Sequence, residues 1–213
     1  MTPGSDGLAA PAPPLWAQSL LSSVLPRATE ESVAGDLIAE YRDAILPACG
    51  ERRADIWYLR QTVGFVWRAT WMFILLHAAL LMVRSLADVF APPGFAPHSY
   101  QLRASLSTWS TIGTFLLAGI YGGYHTGRSS AGVLTAFVAS AAGFALAIGF
   151  GLWMFFAVIQ PDPVKLNTFY ITGGWGEMFG LPIIITGIAC ALGLVGGVIG
   201  KSIGGLAPAS RSR

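Results

Sequence analysis

Hydrophobic residues divide the chain into a polar amino-terminal part followed by four long apolar stretches. The stretches cover roughly residues 65–87, 107–124, 131–159 and 179–203. Each is long enough for an α-helix to cross the hydrocarbon core of a bilayer, which takes about 20 residues, and the third is longer than needed and would have to tilt or kink. Charged residues are scarce within them, and the pattern therefore predicts an all-α integral membrane protein with four transmembrane helices.

Three shorter helical patterns precede or lead into the first apolar stretch. The earliest, residues 15–24, has an apolar face formed by Trp16, Leu20 and Val24. The last begins near Glu51 and meets no helix breaker before the first stretch, so it is predicted to continue directly into the first span.

The middle helix is predicted over residues 30–46. Thr29 is the expected N-cap, because its side chain can accept a hydrogen bond from the first turn. Pro47 and Gly50 are expected to end the helix, since proline lacks a backbone N–H and glycine favours helix termini.

This middle helix has one apolar and one acidic face. The apolar residues recur at a spacing of four and are Val33, Leu37, Tyr41 and Ile45. Asp36, Glu40 and Asp43 lie on the opposite side, and no His or Cys nearby suggests a metal site or an acid–base pair. We interpret these three carboxylates, called the acidic face below, as the water-facing side of a docking helix and as candidates for partner binding.

Small residues recur every four positions in the apolar stretches. Those expected to pack helix against helix are Gly119, Gly123, Gly143, Ala147, Gly151, Gly193 and Gly197. Small side chains at this spacing let helix backbones approach closely in lipid, where no hydrophobic force drives association. They predict a tightly packed four-helix bundle, although the same stripes would also suit a homo-oligomer or another membrane subunit.

Three ionisable residues in or beside the spans form a candidate polar site. His77 lies near the middle of the first span, and Arg84 lies four residues before Asp88, with which it can pair. Glu177 sits among glycines in "GGWGEMFG" where the fourth span begins. A packing role for His77 and simple hydration of Glu177 are the alternatives for these residues.

Composition narrows the functional classes. The chain has 213 residues, 54% of them hydrophobic and 11% charged, and this balance is outside the range of ordinary soluble domains. A net charge of +2 does not suggest nucleic-acid binding. No metal-binding cluster and no nucleophile–base pair is visible, so neither a cofactor nor an enzymatic activity is expected.

The basic residues predict an orientation. Ten of the 13 Lys and Arg residues precede or open the first span, lie in the middle loop, or lie near or beyond the end of the last span. Because basic residues are retained on the cytoplasmic side, both termini are predicted to be cytoplasmic. The predicted parts are a disordered tail at 1–14, a cytoplasmic helical module at 15–63, the bundle at 64–205 and a carboxy-terminal tail at 206–213.

The polar part resembles a known family. The stretch "LPRATEESVAGDLIAEYRDAILPACGERRADIWYLRQTV" is similar to the permease prefix domain. This helical module precedes the membrane core of bacterial ABC-transporter permeases of the macrolide-exporter type and is also found in small stand-alone membrane proteins. The matching residues are Leu25, Pro26, Gly35, Asp36, Leu37, Glu40, Tyr41, Gly50, Ala54, Trp57, Tyr58, Arg60 and Gln61. The resemblance covers about residues 15–63 and implies a module of this kind in a bacterial inner-membrane protein.

The spans depart from that permease class. The permeases carry a large extracytoplasmic domain between their first two spans, whereas the corresponding loop here comprises residues 88–106. The resemblance therefore implies a prefix-domain membrane protein without implying a transport core. We expect a non-enzymatic accessory or interaction subunit, associated with an ABC-type export system. The alternative is a small oligomeric transporter or channel with the Gly-rich third and fourth spans lining the path.

The orientation is testable by cysteine labelling in a chain otherwise free of cysteine. Single cysteines at Ser99 and Asn167 are expected to react with a membrane-impermeant thiol reagent added to sealed cells. Cysteines at Ser129 and Ser210 are expected to react only after the membrane is permeabilised. Labelling at Ser129 in sealed cells would contradict the predicted topology.

Overall fold

The computed structural model describes residues 12–91 and 97–206, and all regular structure within these ranges is helical. The helices are α1 (Leu15–Val24), α2 (Arg27–Glu40), α3 (Leu46–Cys49), α4 (Glu51–Phe90), α5 (Pro97–Thr126), α6 (Ser129–Met154), α7 (Pro163–Ile171) and α8 (Gly174–Leu206). Five-residue π-helical turns occupy Tyr41–Ile45 and Phe155–Ile159. Most of the two predicted tails, together with residues 92–96, lies outside the described residues.

Within the part of the chain that the structure describes, three helical segments are long and apolar enough to cross a membrane. They are Glu51–Phe90, Ser129–Ile159 and Gly174–Leu206. The predicted second span lies within α5, which has 30 residues and ample length. Its apolar run is diluted by Ser, Thr and Gly, so composition alone does not place α5 with the other three.

The chain divides into two compact units, which we call unit 1 (through Trp67) and unit 2 (from Arg68). Helix α4 starts in the first and ends in the second, so no breaker separates the polar start of this helix from its apolar continuation.

Unit 1 has a small core in which α1 and the π-helical turn after α2 meet the start of α4. The buried side chains are Ala17, Leu21, Leu25, Tyr41, Ala54 and Tyr58. The predicted apolar face of α1 is wrong in part: Val24 is buried as predicted, but Trp16 is 59% exposed, and the other buried positions are Ala17 and Leu21. The helix is rotated so that its small Ala17 lies in the core and its bulkiest side chain lies outside.

The ends of the middle helix also differ from the prediction. Helix α2 begins at Arg27 with Pro26 as N-cap, and Thr29 lies in its first turn, where its hydroxyl donates to the Pro26 carbonyl at 3.3 Å. Pro47 does not end the helix, which widens into a π-helical turn just before it and continues to Cys49. Gly50, with φ of +79°, ends it in a conformation that favours glycine.

In unit 2 the helices α5, α6 and α8 pack pairwise through glycines. A Cβ at Gly119 would lie 2.7 Å from the Gly193 carbonyl oxygen, and one at Gly123 would collide with the backbone of Gly197. On the other side of α8, a Cβ at Gly193 would lie 2.7 Å from the Gly132 carbonyl oxygen. Real Cβ atoms do not approach other atoms this closely, so these backbones touch because the side chains are missing.

The contacts also fix helix directions within unit 2. Along α5 and α8 the paired positions advance together, from Gly119 with Gly193 to Tyr124 with Gly204, so the two helices are parallel. Between α6 and α8 they advance in opposite senses, because the start of α6 at Ser129 lies against Gly197. These two helices are therefore antiparallel.

The predicted loop at 160–178 contains the helix α7. Its N-cap is Asp162, whose Oδ1 accepts hydrogen bonds from the backbone N–H groups of Val164 (3.0 Å) and Lys165 (3.2 Å). Pro163 occupies the first helical position, where its missing N–H costs nothing. The dipeptide Asp162–Pro163 is thus a helix-start signal that the hydrophobic pattern did not reveal.

The glycine packing predicts that two glycine substitutions in α8 differ in their effect on stability. Gly193→Leu should destabilise the protein by roughly 1–3 kcal/mol, the usual cost of over-packing, because backbone and Cβ atoms of α6 block the new side chain. Gly187→Leu, six residues earlier, should have little effect, since no atom lies within 4 Å of its Cβ position. The measurement is the midpoint temperature of thermal unfolding in detergent. Equal midpoint temperatures for the two variants would contradict the glycine packing.

Candidate functional site

The acidic face lies on the exposed side of the helix formed by α2 and the π-helical turn. Asp36, Glu40 and Asp43 are all exposed. The opposite side packs on the core of unit 1 through the half-buried Val33 and Leu37. The helix thus presents three carboxylates to its surroundings while its apolar residues hold it in place.

Tyr41 is the anchor of this helix. It is 1% exposed, its ring meets that of Tyr58 edge-on at 6.1 Å, and its hydroxyl donates a hydrogen bond to Asp55 Oδ1 at 2.8 Å. Burial, reinforced by the neighbouring Asp55 carboxylate, raises the pKa of Tyr41 to about 12. The side chain therefore joins the acidic helix to α4 by packing and by a directional hydrogen bond.

His77 is fully buried in an aromatic cage within unit 2. Its ring centroid lies 4.8 Å from those of Phe115 and Phe144. Neither ring nitrogen has a hydrogen-bond partner among the described residues. A Cβ at Gly143 would lie 2.7 Å from His77 Cδ2, so the glycine provides the space for the ring. The surroundings are those of a packed aromatic residue.

A cavity of about 450 Å³ lies at the end of unit 2 where α4 and α6 end and α8 begins. We call it the charged cavity, because its lining combines aromatic and aliphatic side chains with both acidic and basic groups. The charged residues in the lining are Arg84, Asp88, Asp162, Lys165 and Glu177. The volume is within the range typical of small-molecule sites.

Ion pairs occupy the basic groups beside this cavity. Arg84 Nε lies 3.4 Å from Asp88 Oδ2, as the four-residue spacing predicted, and Arg103 Nε lies 3.5 Å from Asp88 Oδ1. Lys165 Nζ lies 3.4 Å from Asp162 Oδ2. The backbone N–H groups of Lys165 and Val164, with the Lys165 ammonium, lower the pKa of Asp162. Each basic group in the lining therefore already faces a carboxylate.

Glu177 differs from the other acidic residues in the lining. It lies in the first turn of α8, is exposed, and forms no ion pair with any residue in the described ranges. Its Oε2 lies 3.1 Å from the position that a Cβ would occupy at Gly173, where φ is +111°. The glycine thus leaves room for the carboxylate beside the turn.

The three residues of the predicted polar site lie in two different parts of unit 2. Arg84 and Glu177 line the charged cavity, whereas His77 lies outside its lining. Phe144 connects the two places, because it lines the cavity and also contacts the His77 ring. Sequence reasoning missed Asp162, Lys165 and Phe169 as lining residues, since it took their segment for a loop.

The small residues predicted to pack on α6 lie in two different surroundings. Gly143 faces His77, and Ala147 lines the charged cavity. Gly151 also lines the cavity, and a Cβ there would lie 2.8 Å from Met178 Cε. By contrast, Gly119, Gly123, Gly193 and Gly197 lie at backbone-to-backbone contacts.

No group of three or more His, Cys, Asp or Glu side chains is arranged to hold a metal ion in the ranges 12–91 and 97–206. Neither Cys49 nor Cys190 forms a disulfide. Comparison with protein-family models, with curated proteins and with solved structures gave no match to this chain.

The raised pKa of Tyr41 gives a testable pH dependence. Because the folded pKa is about 12 against about 10 in the unfolded chain, the neutral phenol stabilises the fold. This contribution is complete below about pH 10 and is lost as the pH rises through about 12. The midpoint temperature of thermal unfolding should therefore fall more steeply with pH over this interval for the parent than for Tyr41→Phe.

The control for that measurement is Tyr170→Phe, which alters a tyrosine that is 56% exposed. This variant should follow the parent through the alkaline range. A parallel fall of the parent and Tyr41→Phe would contradict the assignment of the alkaline loss to Tyr41.

Proposed function

We propose that this protein is a non-enzymatic accessory or interaction subunit of the bacterial inner membrane, anchored by four transmembrane helices and docking to its partner through unit 1. The observation that carries the proposal is the acidic face. Asp36, Glu40 and Asp43 are exposed together on a helix whose other side is fixed by the buried Tyr41.

The acidic face has no role in holding unit 1 together. Like charges three and four residues apart on a helix repel one another slightly, so the arrangement costs a little stability. Among the residues that the structure describes, the side chains of Asp36, Glu40 and Asp43 accept no hydrogen bond that supports the fold, whose core is formed by other side chains. A basic surface on a partner would offset the repulsion, and this favours a docking role for the acidic face.

The packing of α5 supports a fourth span. Its Ser, Thr and Gly residues lower its average hydropathy, but several of them face neighbouring helices, including the buried Thr114, Gly119 and Gly123. Thr114 satisfies its hydroxyl by donating to the Ser110 carbonyl at 2.8 Å. A helix that lies parallel to α8 in backbone contact crosses the same layer as α8, so we include α5 among the spans.

Charge supports the orientation of these spans. Arg52, Arg53 and Arg60 are exposed at the start of α4, before its apolar portion. Lys201 is exposed near the end of α8. Retention of these basic residues at the cytoplasmic face supports a cytoplasmic location for both termini, and with it our proposal that unit 1 meets the cytoplasmic surfaces of other membrane proteins.

The partner class comes from the resemblance of residues 15–63 to the permease prefix domain. That module accompanies ABC-type exporters, so an ABC-type export system is the partner that we propose. The spans supply membrane attachment, and the acidic face supplies the charge complementarity that selects a partner and orients its approach.

The alternative of an oligomeric transporter or channel fits less well. It requires the Gly-rich third and fourth spans to line a path. Instead, the Gly132–Gly193 and Ser129–Gly197 contacts bring α6 and α8 together within one chain. Glycines that are covered by a neighbouring helix of the same chain do not border an open path.

The docking role predicts the behaviour of a charge-reversed variant. Asp36→Lys with Glu40→Lys should leave folding nearly intact, because exposed charges contribute little to stability. The double variant should fail to retain the ABC-transporter subunits that purify with the parent from the same membranes in mild detergent. Identification of the co-purifying chains by mass spectrometry is the measurement.

A matched control carries the same change of charge elsewhere in unit 1. Glu31→Lys with Glu51→Lys alters two exposed acids outside the acidic face and should retain the partners. Deletion of residues 1–50 should release the partners while the spans remain inserted. If the parent, both charge variants and the deletion retain the same partners, unit 1 is not the docking element.

A further inference from the structure

The charged cavity has no part in the docking proposed above, because every residue that lines it belongs to unit 2. Its lining is nevertheless unusual for the end of a membrane bundle. Four aromatic rings border it, those of Phe90, Tyr100, Phe144 and Phe169. Aliphatic and sulfur-containing side chains, among them Leu81, Met178 and Leu181, complete much of the remaining wall.

Among the described residues, two of the three acidic groups in the lining face a basic group, and the third does not. Arg84 lies against Asp88, and Lys165 lies against Asp162. Lys165 also lies 5.6 Å from the centroid of the Phe90 ring, a cation–π distance. Glu177 is the lining carboxylate for which the described residues provide no cation. A ligand that complements this lining brings a positive charge.

We propose that the charged cavity binds a hydrophobic organic cation. The apolar body of the ligand lies among the aromatic and aliphatic side chains, and its positive charge lies near Glu177 and the faces of the rings. Carboxylates and aromatic faces both attract organic cations, and aromatic side chains are the common receptors of quaternary ammonium groups. A volume of about 450 Å³ accommodates a molecule of this class.

Two other ligand classes complement the lining less well. An anionic amphiphile would need to compete with Asp88 for Arg84, or with Asp162 for Lys165, and it would lie in the same cavity as the Glu177 carboxylate, which repels it. An uncharged apolar molecule would cover the cavity walls but would place an apolar surface beside the Glu177 carboxylate, which loses water without gaining a partner. The organic cation avoids both costs.

The binding test uses two probes of the same shape and opposite charge. Tetraphenylphosphonium is the cation, and tetraphenylborate is its anionic counterpart. The full-length protein is placed in nanodiscs of zwitterionic phosphatidylcholine, and protein-free nanodiscs give the amount that partitions into lipid. We expect saturable binding of tetraphenylphosphonium beyond the partitioned amount, and no saturable binding of tetraphenylborate at the same site.

Two pairs of variants locate the bound probe. Ala147→Phe fills part of the cavity and should abolish saturable binding, whereas Ala145→Phe, at an exposed position on the same helix, should leave it unchanged. Glu177→Gln keeps the size of an exposed side chain but removes its charge, and should weaken binding roughly tenfold, in line with the loss of one charge-assisted contact. Glu31→Gln in unit 1 should leave affinity unchanged.

The binding measurements distinguish the proposed cation site from its alternatives. Absence of saturable tetraphenylphosphonium binding by the parent overturns the proposal, as does equal binding by Ala147→Phe and Ala145→Phe. Tighter binding of tetraphenylborate would assign the cavity to an anion instead. Because Glu177→Gln alters an exposed side chain, its result stands even if Ala147→Phe fails to fold. Partner retention by unit 1 is measured separately, so either proposal can fail without the other.

Discussion

Unit 2 depends on direct contact between the backbones of α5, α6 and α8. Gly193 is at the centre of this contact, because its two sides face Gly119 on α5 and Gly132 on α6. In lipid, helices gain little from the hydrophobic effect when they associate, so close van der Waals contact and hydrogen bonds hold them together. A side chain at any of these positions would push apart the helices on which the rest of the unit is built.

This contact is concentrated where α6 begins and α8 ends, and the opposite end of unit 2 is arranged differently. There, Gly143 accommodates the His77 ring rather than a backbone, and Ala147 lines the charged cavity. Large side chains such as Phe144 and Met178 take the place of glycine-to-glycine contacts. The closely packed end holds the helices in register, and the looser end leaves room for a ligand between them.

Much of this arrangement was predictable from local patterns, and some of it was not. The length of the apolar stretches predicted the three segments that contain α4, α6 and α8. The spacing of the apolar residues Leu37 and Tyr41 predicted which side of the acidic helix faces the core of unit 1. The buried face of α1 was mispredicted because bulk was taken as a sign of burial, whereas the small Ala17 fits the core and Trp16 does not. Arg84 and Glu177 were named as candidate polar residues, but the cavity that they line was not predicted, because part of its wall comes from helix α7, which was concealed in an apparent loop.

The central claim is that small residues hold α5 against α8 within one chain, and a disulfide cross-link tests it most directly. The Cβ position of Gly204 lies 3.9 Å from Tyr124 Cα, close enough for cysteines at these two positions to form a disulfide. In a chain otherwise free of cysteine, mild oxidation in native membranes should cross-link Tyr124→Cys to Gly204→Cys within single chains. The pair Tyr124→Cys and Ser202→Cys, whose second member is exposed on α8, should not react in this way. Equal cross-linking of both pairs, or cross-linking only between two chains, would contradict the claim.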